Sequence, residues 1–159
     1  MKFISLNRNY IEYKAKYFFE GGDMSELNKD ISNKELFRIA VEAEKNSYAP
    51  FSNFHVGAAL LSVDGRVFTG VNVENSSLGA SICAERTACT KAVSEGVREF
   101  SKIAISGNGG EAWPCGFCRQ FLYEFAPNLR VITGSDEDHL EDKALSEILL
   151  NGFKVESFE

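Results

Sequence analysis

Three cysteines in two segments constrain the fold of this chain more than any other feature of its sequence. Cys83 stands in the first segment, and Cys115 and Cys118 form a Cys-x-x-Cys in the second. Zinc is bound by soft thiolates in a tetrahedron, and catalytic zinc sites keep one of the four positions open for water. The spacing therefore predicts a catalytic zinc centre, and the fold must bring the two segments together to build it.

A glutamate completes the pattern. Glu85 lies two residues after Cys83, where its carboxylate can reach zinc-bound water without binding the metal. This order, with Pro114 directly before the Cys-x-x-Cys, is the signature of zinc-dependent deaminases, in which the glutamate is the general acid and base. A structural zinc site and a thioredoxin-like redox pair are the alternatives. The first lacks a fourth ligand, because Cys89 is nearly two helical turns from Cys83 and both histidines have the wrong spacing. The second leaves Cys83 and Glu85 unexplained.

Length and composition indicate a small soluble enzyme. The chain has 159 residues, of which 44% are hydrophobic, enough for one domain with its own core. No apolar run approaches the roughly 20 residues of a membrane helix, and the amino terminus turns polar too soon for a signal peptide. Cysteines placed as thiolate ligands favour a reducing compartment, so we expect a cytoplasmic protein. A net charge of −6 argues against a polynucleotide substrate and favours a small molecule.

The hydrophobic periodicity predicts four helices and five strands. Ser32 and Glu35 form a capping box before the first helix, which ends near Asn46. Asp64-Gly65 is typical of a two-residue hairpin turn. Further helices are expected from Cys83 or just after it to Glu95, and over 115–125 and 140–150, with strands over 54–61, 66–73, 102–106, 129–133 and 153–158. This order predicts a three-layer α/β/α domain with a mixed five-stranded sheet.

Both cysteine segments fall where a predicted helix begins. The free N–H groups and the positive end of each helix would then face the metal. Three thiolates on a divalent zinc leave excess negative charge, which opposes the ionisation of bound water. Arg86 and Arg119 lie beside the ligands and can offset that charge, although either could instead form an exposed salt bridge.

From Ser47 to Gln120 the chain resembles the cytidine deaminase family of the small, single-domain kind. The resemblance is carried by four motifs, the residues Tyr48 to Leu60, Asn72 to Asn75, Cys83 to Ala88 and Pro114 to Gln120. It implies an α/β/α fold, a three-cysteine zinc site with one zinc per chain, and hydrolysis of cytidine and 2′-deoxycytidine to the uridines with release of ammonia. It also implies a homotetramer.

The resemblance assigns a role to each matching residue. Glu85 becomes the proton shuttle, and Asn72 and Glu74, two apart on a strand, face the ribose hydroxyls. The remaining substrate contacts that it implies are the Phe54 ring on the pyrimidine, the Ala84 N–H on the ring carbonyl, and Phe153 reaching a neighbouring subunit's site.

Some positions depart from the family pattern. Trp113 and Phe117 replace small residues beside the ligands, and Leu150 replaces a proline near the carboxyl end. The added bulk keeps open a deaminase of a modified or antibiotic aminopyrimidine nucleoside, and a non-catalytic zinc-stabilised binding module is the other alternative. Residues 1–31 match nothing in the family, so we divide the chain into an extension over 1–31, within which Met24 could be the native start, and a catalytic domain over 32–159.

Overall fold

A mixed sheet of five strands forms the centre of the computed structural model, which describes residues 31–155. The strand order is β2-β1-β3-β4-β5. β3 and β4 are parallel and the other neighbours are antiparallel. The expected mixed five-stranded sheet is thereby confirmed. The strands are β1 (Val56–Ser62), β2 (Val67–Val71), β3 (Phe100–Gly107), β4 (Arg130–Asp136) and β5 (His139–Ala144).

Within residues 31–155, four helices accompany the sheet. Ser32 Oγ accepts a hydrogen bond of 3.2 Å from the Glu35 N–H at the start of the first helix, which is one of the two bonds of the predicted capping box. The second, from the Ser32 N–H to the Glu35 carboxylate, is not formed among the described residues. No helix among residues 31–155 is long and apolar enough to cross a membrane. The helices are α1 (Asn33–Glu44), α2 (Ala84–Ser94), α3 (Gly116–Tyr123) and α4 (Leu145–Ile148), and a 3₁₀ turn covers Leu78–Ala80.

The strand β1 is buried on both of its faces and has no exposed residue. Successive residues of a strand point to opposite faces, and Leu60 and Leu61 accordingly belong to two separate hydrophobic clusters. The cluster with Leu61 includes α1, and the one with Leu60 includes α2. The three-layer prediction is correct for these two helices.

Two glycines let the helices approach the sheet closely. A Cβ on Gly57 would lie 2.1 Å from the Ala40 carbonyl oxygen in α1, and a Cβ on Gly70 would lie 2.3 Å from the Ala84 carbonyl oxygen in α2. Real Cβ atoms essentially never come this close to backbone. The position of α2, and of the residues at its start, therefore depends on Gly70.

The carboxyl-terminal elements differ from the prediction. Residues 140–150 were expected to form a helix, but β5 occupies His139–Ala144 and only Leu145–Ile148 is helical. Asp, Glu and Lys are uncommon in β-strands. Pairing of this segment with the open edge of β4 overrides that preference. The predicted last strand over 153–158 is also wrong where it can be compared, because residues 153–155 are not in a strand.

The β1–β2 turn is one residue longer than predicted. Ser62 and Arg66 are paired through a 2.9 Å hydrogen bond, which leaves Val63, Asp64 and Gly65 in the loop. Gly65 has a φ of 90°. A positive φ at the end of a three-residue hairpin loop is the usual reason for a glycine there. The predictions for residues 1–30, including Met24 as a possible native start, and for residues 156–158 lie outside the described residues.

Candidate active site

Three thiols converge between the starts of two helices. Cys83 is the N-cap residue of α2 and Cys115 that of α3, and Cys118 follows in the first turn of α3. The three sulfur atoms lie within 4.8 Å of one another. Tetrahedral zinc with Zn–S bonds of about 2.3 Å requires sulfur atoms roughly 3.8 Å apart. The donor set and its spacing therefore fit zinc, and the two segments meet as the sequence predicts.

The surroundings of Cys83 favour its ionisation. A hydrogen bond from the Cys118 thiol, assisted by Arg86, lowers the pKa of Cys83 to about 5 despite its burial. The same hydrogen bond raises the pKa of Cys118. Cys89 lies apart in the core, where burial raises its pKa to about 12. A thiolate is the metal-binding form of cysteine, so the cluster and not Cys89 suits a cation.

Glu85 is a buried carboxyl group beside the thiols. It lies in the first turn of α2 and is 4% exposed. Burial raises the pKa of Glu85 to about 7, and a hydrogen bond with the Cys118 thiol counts among the opposing effects. A carboxyl group with this pKa exists in both protonation states near neutral pH, which suits a general acid and base.

Arg86 and Arg119 have different surroundings. Arg86 Nη2 lies 3.8 Å from Cys83 Sγ and 3.4 Å from the Ser81 carbonyl oxygen, so its charge is close to the thiols. The Arg119 guanidinium donates instead to two carbonyl oxygens, those of Pro114 and Ile148, each at 2.7 Å. The charge-offsetting roles of both arginines stay predictions. Arg86 lies close enough to the thiols for that role, whereas Arg119 ties the segment before Cys115 to the end of α4.

Asn72 and Glu74 lie on a short segment that borders the thiols. Val73 between them exchanges backbone hydrogen bonds of 2.9 and 3.0 Å with Ile82, the residue before Cys83. This pairing brings the candidate ribose-binding residues next to the start of α2. The prediction of a strand through Val73 was slightly long, since β2 ends at Val71.

The side chain of Asn72 is held in one orientation. Its Oδ1 accepts hydrogen bonds from the Val56 N–H at 2.8 Å and the Ser47 hydroxyl at 2.6 Å. Its Nδ2 donates to the Phe54 carbonyl oxygen at 2.8 Å. One N–H of the amide stays free of these contacts, because an amide nitrogen carries two hydrogens.

The Glu74 carboxylate is fixed by the neighbouring loop. It accepts hydrogen bonds from the Phe51 N–H at 2.8 Å and from the Ser52 N–H at 3.2 Å, and the Ser52 hydroxyl also donates to it. The Ser52 hydroxyl is the main reason why the pKa of Glu74 is lowered. Glu74 is thus an ionised acceptor at neutral pH.

The structure shows the surroundings of the three other predicted substrate contacts. The Phe54 ring packs on backbone, since a Cβ on Gly107 would lie 3.0 Å from its Cζ. Ala84 is the first residue of α2 and is fully buried. Phe153 is 64% exposed, and its carbonyl oxygen accepts a 2.7 Å hydrogen bond from Gln120 Nε2.

Sequence analysis missed the residues that hold these candidates in place. Ser52 orients Glu74, Ser47 contacts Asn72, and Gln120 holds the backbone of Phe153. Ser52 and Gln120 lie inside the quoted motifs, which is the signal that could have pointed to them. These residues contact the candidate residues and not the substrate directly, and the sequence alone does not show such contacts.

The comparisons with known proteins agree with this geometry. Residues 30–135 match the family model of the cytidine and deoxycytidylate deaminase zinc-binding region. The cytidine deaminase of Halalkalibacterium halodurans is 42% identical over 123 residues, which cover 76% of this chain and 93% of that protein. The probable cytidine deaminase of Dictyostelium discoideum is 50% identical over 99 residues, which cover 58% of this chain and 67% of that protein.

Solved structures share the fold. The crystal structure of cytidine deaminase from Burkholderia pseudomallei has a TM-score of 0.73 and 41% identity, over 77% of this chain and all of that one. Cytidine deaminase from Mycobacterium tuberculosis gives a TM-score of 0.71 at 34% identity, over 79% of this chain and all of that one. The chain therefore belongs to the cytidine and deoxycytidylate deaminase zinc-binding family, and it is a cytidine deaminase whose cofactor is zinc.

Proposed function

We propose that this enzyme hydrolyses cytidine and 2′-deoxycytidine to uridine and 2′-deoxyuridine with release of ammonia, as a step of pyrimidine salvage. The observation that carries this proposal is the placement of a buried carboxyl group, Glu85, beside three converging thiols. A pyrimidine that enters the cluster would meet a metal site and a proton carrier together.

Cys83, Cys115 and Cys118 are the proposed ligands of one zinc ion per chain. Their sulfur atoms are mutually close, and none of the three is in a disulfide. Bound there, zinc supplies Lewis-acid activation of the attacking water. Arg86, near Cys83 Sγ, offsets part of the negative charge of the thiolates.

Glu85 is the proposed proton carrier. Hydrolysis at C4 of cytosine adds the oxygen of water and breaks the bond to the exocyclic amino group, which leaves as ammonia. Glu85 accepts one proton from the water and gives it to N3. It then accepts the second proton, from the new hydroxyl group on C4, and gives it to the departing amine. Its pKa of about 7 allows both directions of transfer near neutral pH.

The proposed nucleoside contacts use the polar groups that remain available. The Asn72 amide has an N–H left to donate, and the ionised Glu74 carboxylate accepts, so the pair suits ribose hydroxyls, which both accept and donate. Phe54 offers a ring for the pyrimidine. The N–H of Ala84, in the first turn of α2, has no partner within its helix and can donate to the ring carbonyl.

We propose that four chains assemble and that Phe153 completes a neighbour's site. Phe153 and Leu150 are 64% and 79% exposed, and Cys115 is also exposed, so the single chain leaves the cluster open to solvent. Gln120 donates a hydrogen bond to the backbone of Phe153, and the Phe153 ring stays exposed. Light scattering should give roughly four chains per particle. A fully active monomer would contradict this part of the proposal.

The free cysteines and the acidic charge support the remaining assignments. None of the four cysteines forms a disulfide within residues 31–155, which favours the reducing cytoplasm. The net charge of −6 favours a free nucleoside over a nucleic acid as the partner. No membrane association is proposed.

The two alternative functions have less support. Trp113 packs against the core, with Lys143 Nζ 4.7 Å from its ring centroid, and Phe117 lies over Arg86. Neither contact favours a pocket reshaped for a modified nucleoside. A non-catalytic binding module has no use for a buried carboxyl group at position 85, since burying a charge is costly.

Glu85→Gln separates a deaminase from a binding module. Glutamine keeps the size and hydrogen-bonding capacity of the side chain but does not carry protons. We expect cytidine turnover, followed by ultraviolet absorbance, to fall by a factor on the order of 10² to 10⁴ or more, the usual range for losing a general acid or base. Zinc content and cytidine binding should persist. Turnover at the unmodified rate would reject the mechanism, and loss of zinc would mean that Glu85 is a ligand.

A further inference from the structure

We propose that Phe117 is a positioning residue, whose ring holds the Arg86 guanidinium against the thiols and thereby slows the loss of zinc. The inference rests on the proposed zinc ligation by the three cysteines. It concerns a residue that departs from the family pattern, so it is particular to this chain.

The contact joins the two helix starts that carry the thiols. Phe117 lies between Cys115 and Cys118 in α3, and Arg86 lies in the first turn of α2. The centre of the Arg86 guanidinium is 4.7 Å from the centroid of the Phe117 ring. This distance is within the range of about 6 Å over which a cation is attracted to the face of an aromatic ring.

The Arg86 guanidinium is partly buried beside the ring, and it is directed toward sulfur. Arg86 Nη2 is 3.8 Å from Cys83 Sγ, whereas Nε is buried and has no hydrogen-bond partner among the described residues. A charge interacts more strongly with its neighbours when water is excluded. Holding Arg86 in this place therefore stabilises the ionised sulfurs that a metal requires.

The exposure of Phe117 separates this role from core packing. The side chain is 65% exposed and lies outside both hydrophobic clusters. Replacing it by leucine should leave no cavity in the core. A change in the metal site of that variant then reports on the contact with Arg86 and not on general stability.

The test is the rate at which zinc passes from the intact protein to a chromophoric chelator, for wild type, Phe117→Leu, Arg86→Gln and the double variant. We expect Phe117→Leu to release zinc faster by a factor between about 2 and 30, the range that corresponds to cation–π energies. Phe117→Tyr retains the ring and should release zinc at the wild-type rate. In the Arg86→Gln background, Phe117→Leu should have no further effect.

The other outcomes overturn either the inference or the ligation on which it rests. An equal acceleration by Phe117→Leu with and without Arg86 would mean that Phe117 acts directly on the ligand segment. A wild-type rate in Phe117→Leu would mean that the contact is without consequence. If Arg86→Gln does not hold zinc, a second measurement replaces the double variant: the sulfur-to-metal charge-transfer band of the cobalt-substituted proteins. This band should shift in Phe117→Leu and stay at the wild-type position in Phe117→Tyr. An unshifted band in Phe117→Leu rejects the role. Wild-type protein that purifies without zinc would contradict the proposed ligation instead.

Discussion

The helices on the two faces of the sheet pack in the same way but begin in different ways. α1 approaches the backbone of β1 at Gly57, and α2 approaches that of β2 at Gly70, in each case too closely for a Cβ. The start of α1 is capped, and in this sense closed, by the Ser32 hydroxyl. Within the described chain, the N-cap residue of α2, Cys83, makes no such side-chain bond to its helix.

The start of α3 resembles that of α2. Its N-cap residue, Cys115, likewise makes no capping side-chain bond in the described part of the chain. A free helix start presents unpaired N–H groups and a partial positive charge, which stabilise nearby anions such as thiolates. One face of the sheet thus uses its helix start for stability, and the other leaves two helix starts available for chemistry. Substitutions at the two kinds of start should therefore have different consequences.

The largest expected effect comes from removing a ligand at a free helix start. Cys115→Ala should lose zinc and all measurable deamination together, because two thiolates remain where catalytic zinc sites use three protein ligands. Cys89→Ala is the matched control, since Cys89 is a buried cysteine of the core on the same face. It should retain about one zinc per chain by atomic emission. Full zinc occupancy in Cys115→Ala would sink the ligand assignment.

The two glycine contacts provide the second test. Gly70→Ala and Gly57→Ala each force a helix away from the sheet, and overpacking of this kind costs roughly 1–3 kcal/mol or more. We expect urea denaturation to show similar decreases in the free energy of unfolding for the two variants. Only Gly70→Ala displaces the start of α2, with Cys83 and Glu85, and a misplacement of about 1 Å can reduce catalysis by about 100-fold.

The kinetics of the folded fraction decide whether the two faces differ. kcat in Gly70→Ala should fall by at least about tenfold, whereas kcat in Gly57→Ala should stay near that of wild type at a temperature where both are folded. Equal losses of kcat would mean that α1 is coupled to the site as closely as α2, and the contrast between the faces would disappear.

Much of the site was predictable because metal ligation imposes a strict local pattern. The spacing of the cysteines, with Pro114 before the second group, predicted two helix starts brought together, and the structure has them. The start of α1 was predictable for the same reason. The pattern is local, since the Ser32 hydroxyl accepts from the N–H only three residues later along the chain.

The errors lie where long-range pairing decides the structure. His139–Ala144 is rich in charged residues and has no clear alternation, so nothing local indicates that it joins β4 as an edge strand. The exposed, charged character of β5 is typical of edge strands and resembles that of a surface helix. The contacts of Arg119 could not be predicted either, because its hydrogen bond to the Ile148 carbonyl oxygen depends on where α4 lies.

The smallest expected effect is at the closed helix start. Ser32→Ala removes the bond from the Ser32 hydroxyl to the Glu35 N–H and should reduce the free energy of unfolding by about 1 kcal/mol, the typical value for an N-cap. Ser32→Asp should recover most of it, because aspartate caps as well as serine and interacts favourably with the positive end of the helix. Zinc content and kcat should be those of wild type in both variants, since α1 contributes none of the thiols and packs on the other face of the sheet. Thermal unfolding and cytidine turnover, measured on the same samples, check the two halves of this expectation. Reduced turnover in a fully folded Ser32→Ala protein would show that the start of α1 is also part of the catalytic machinery.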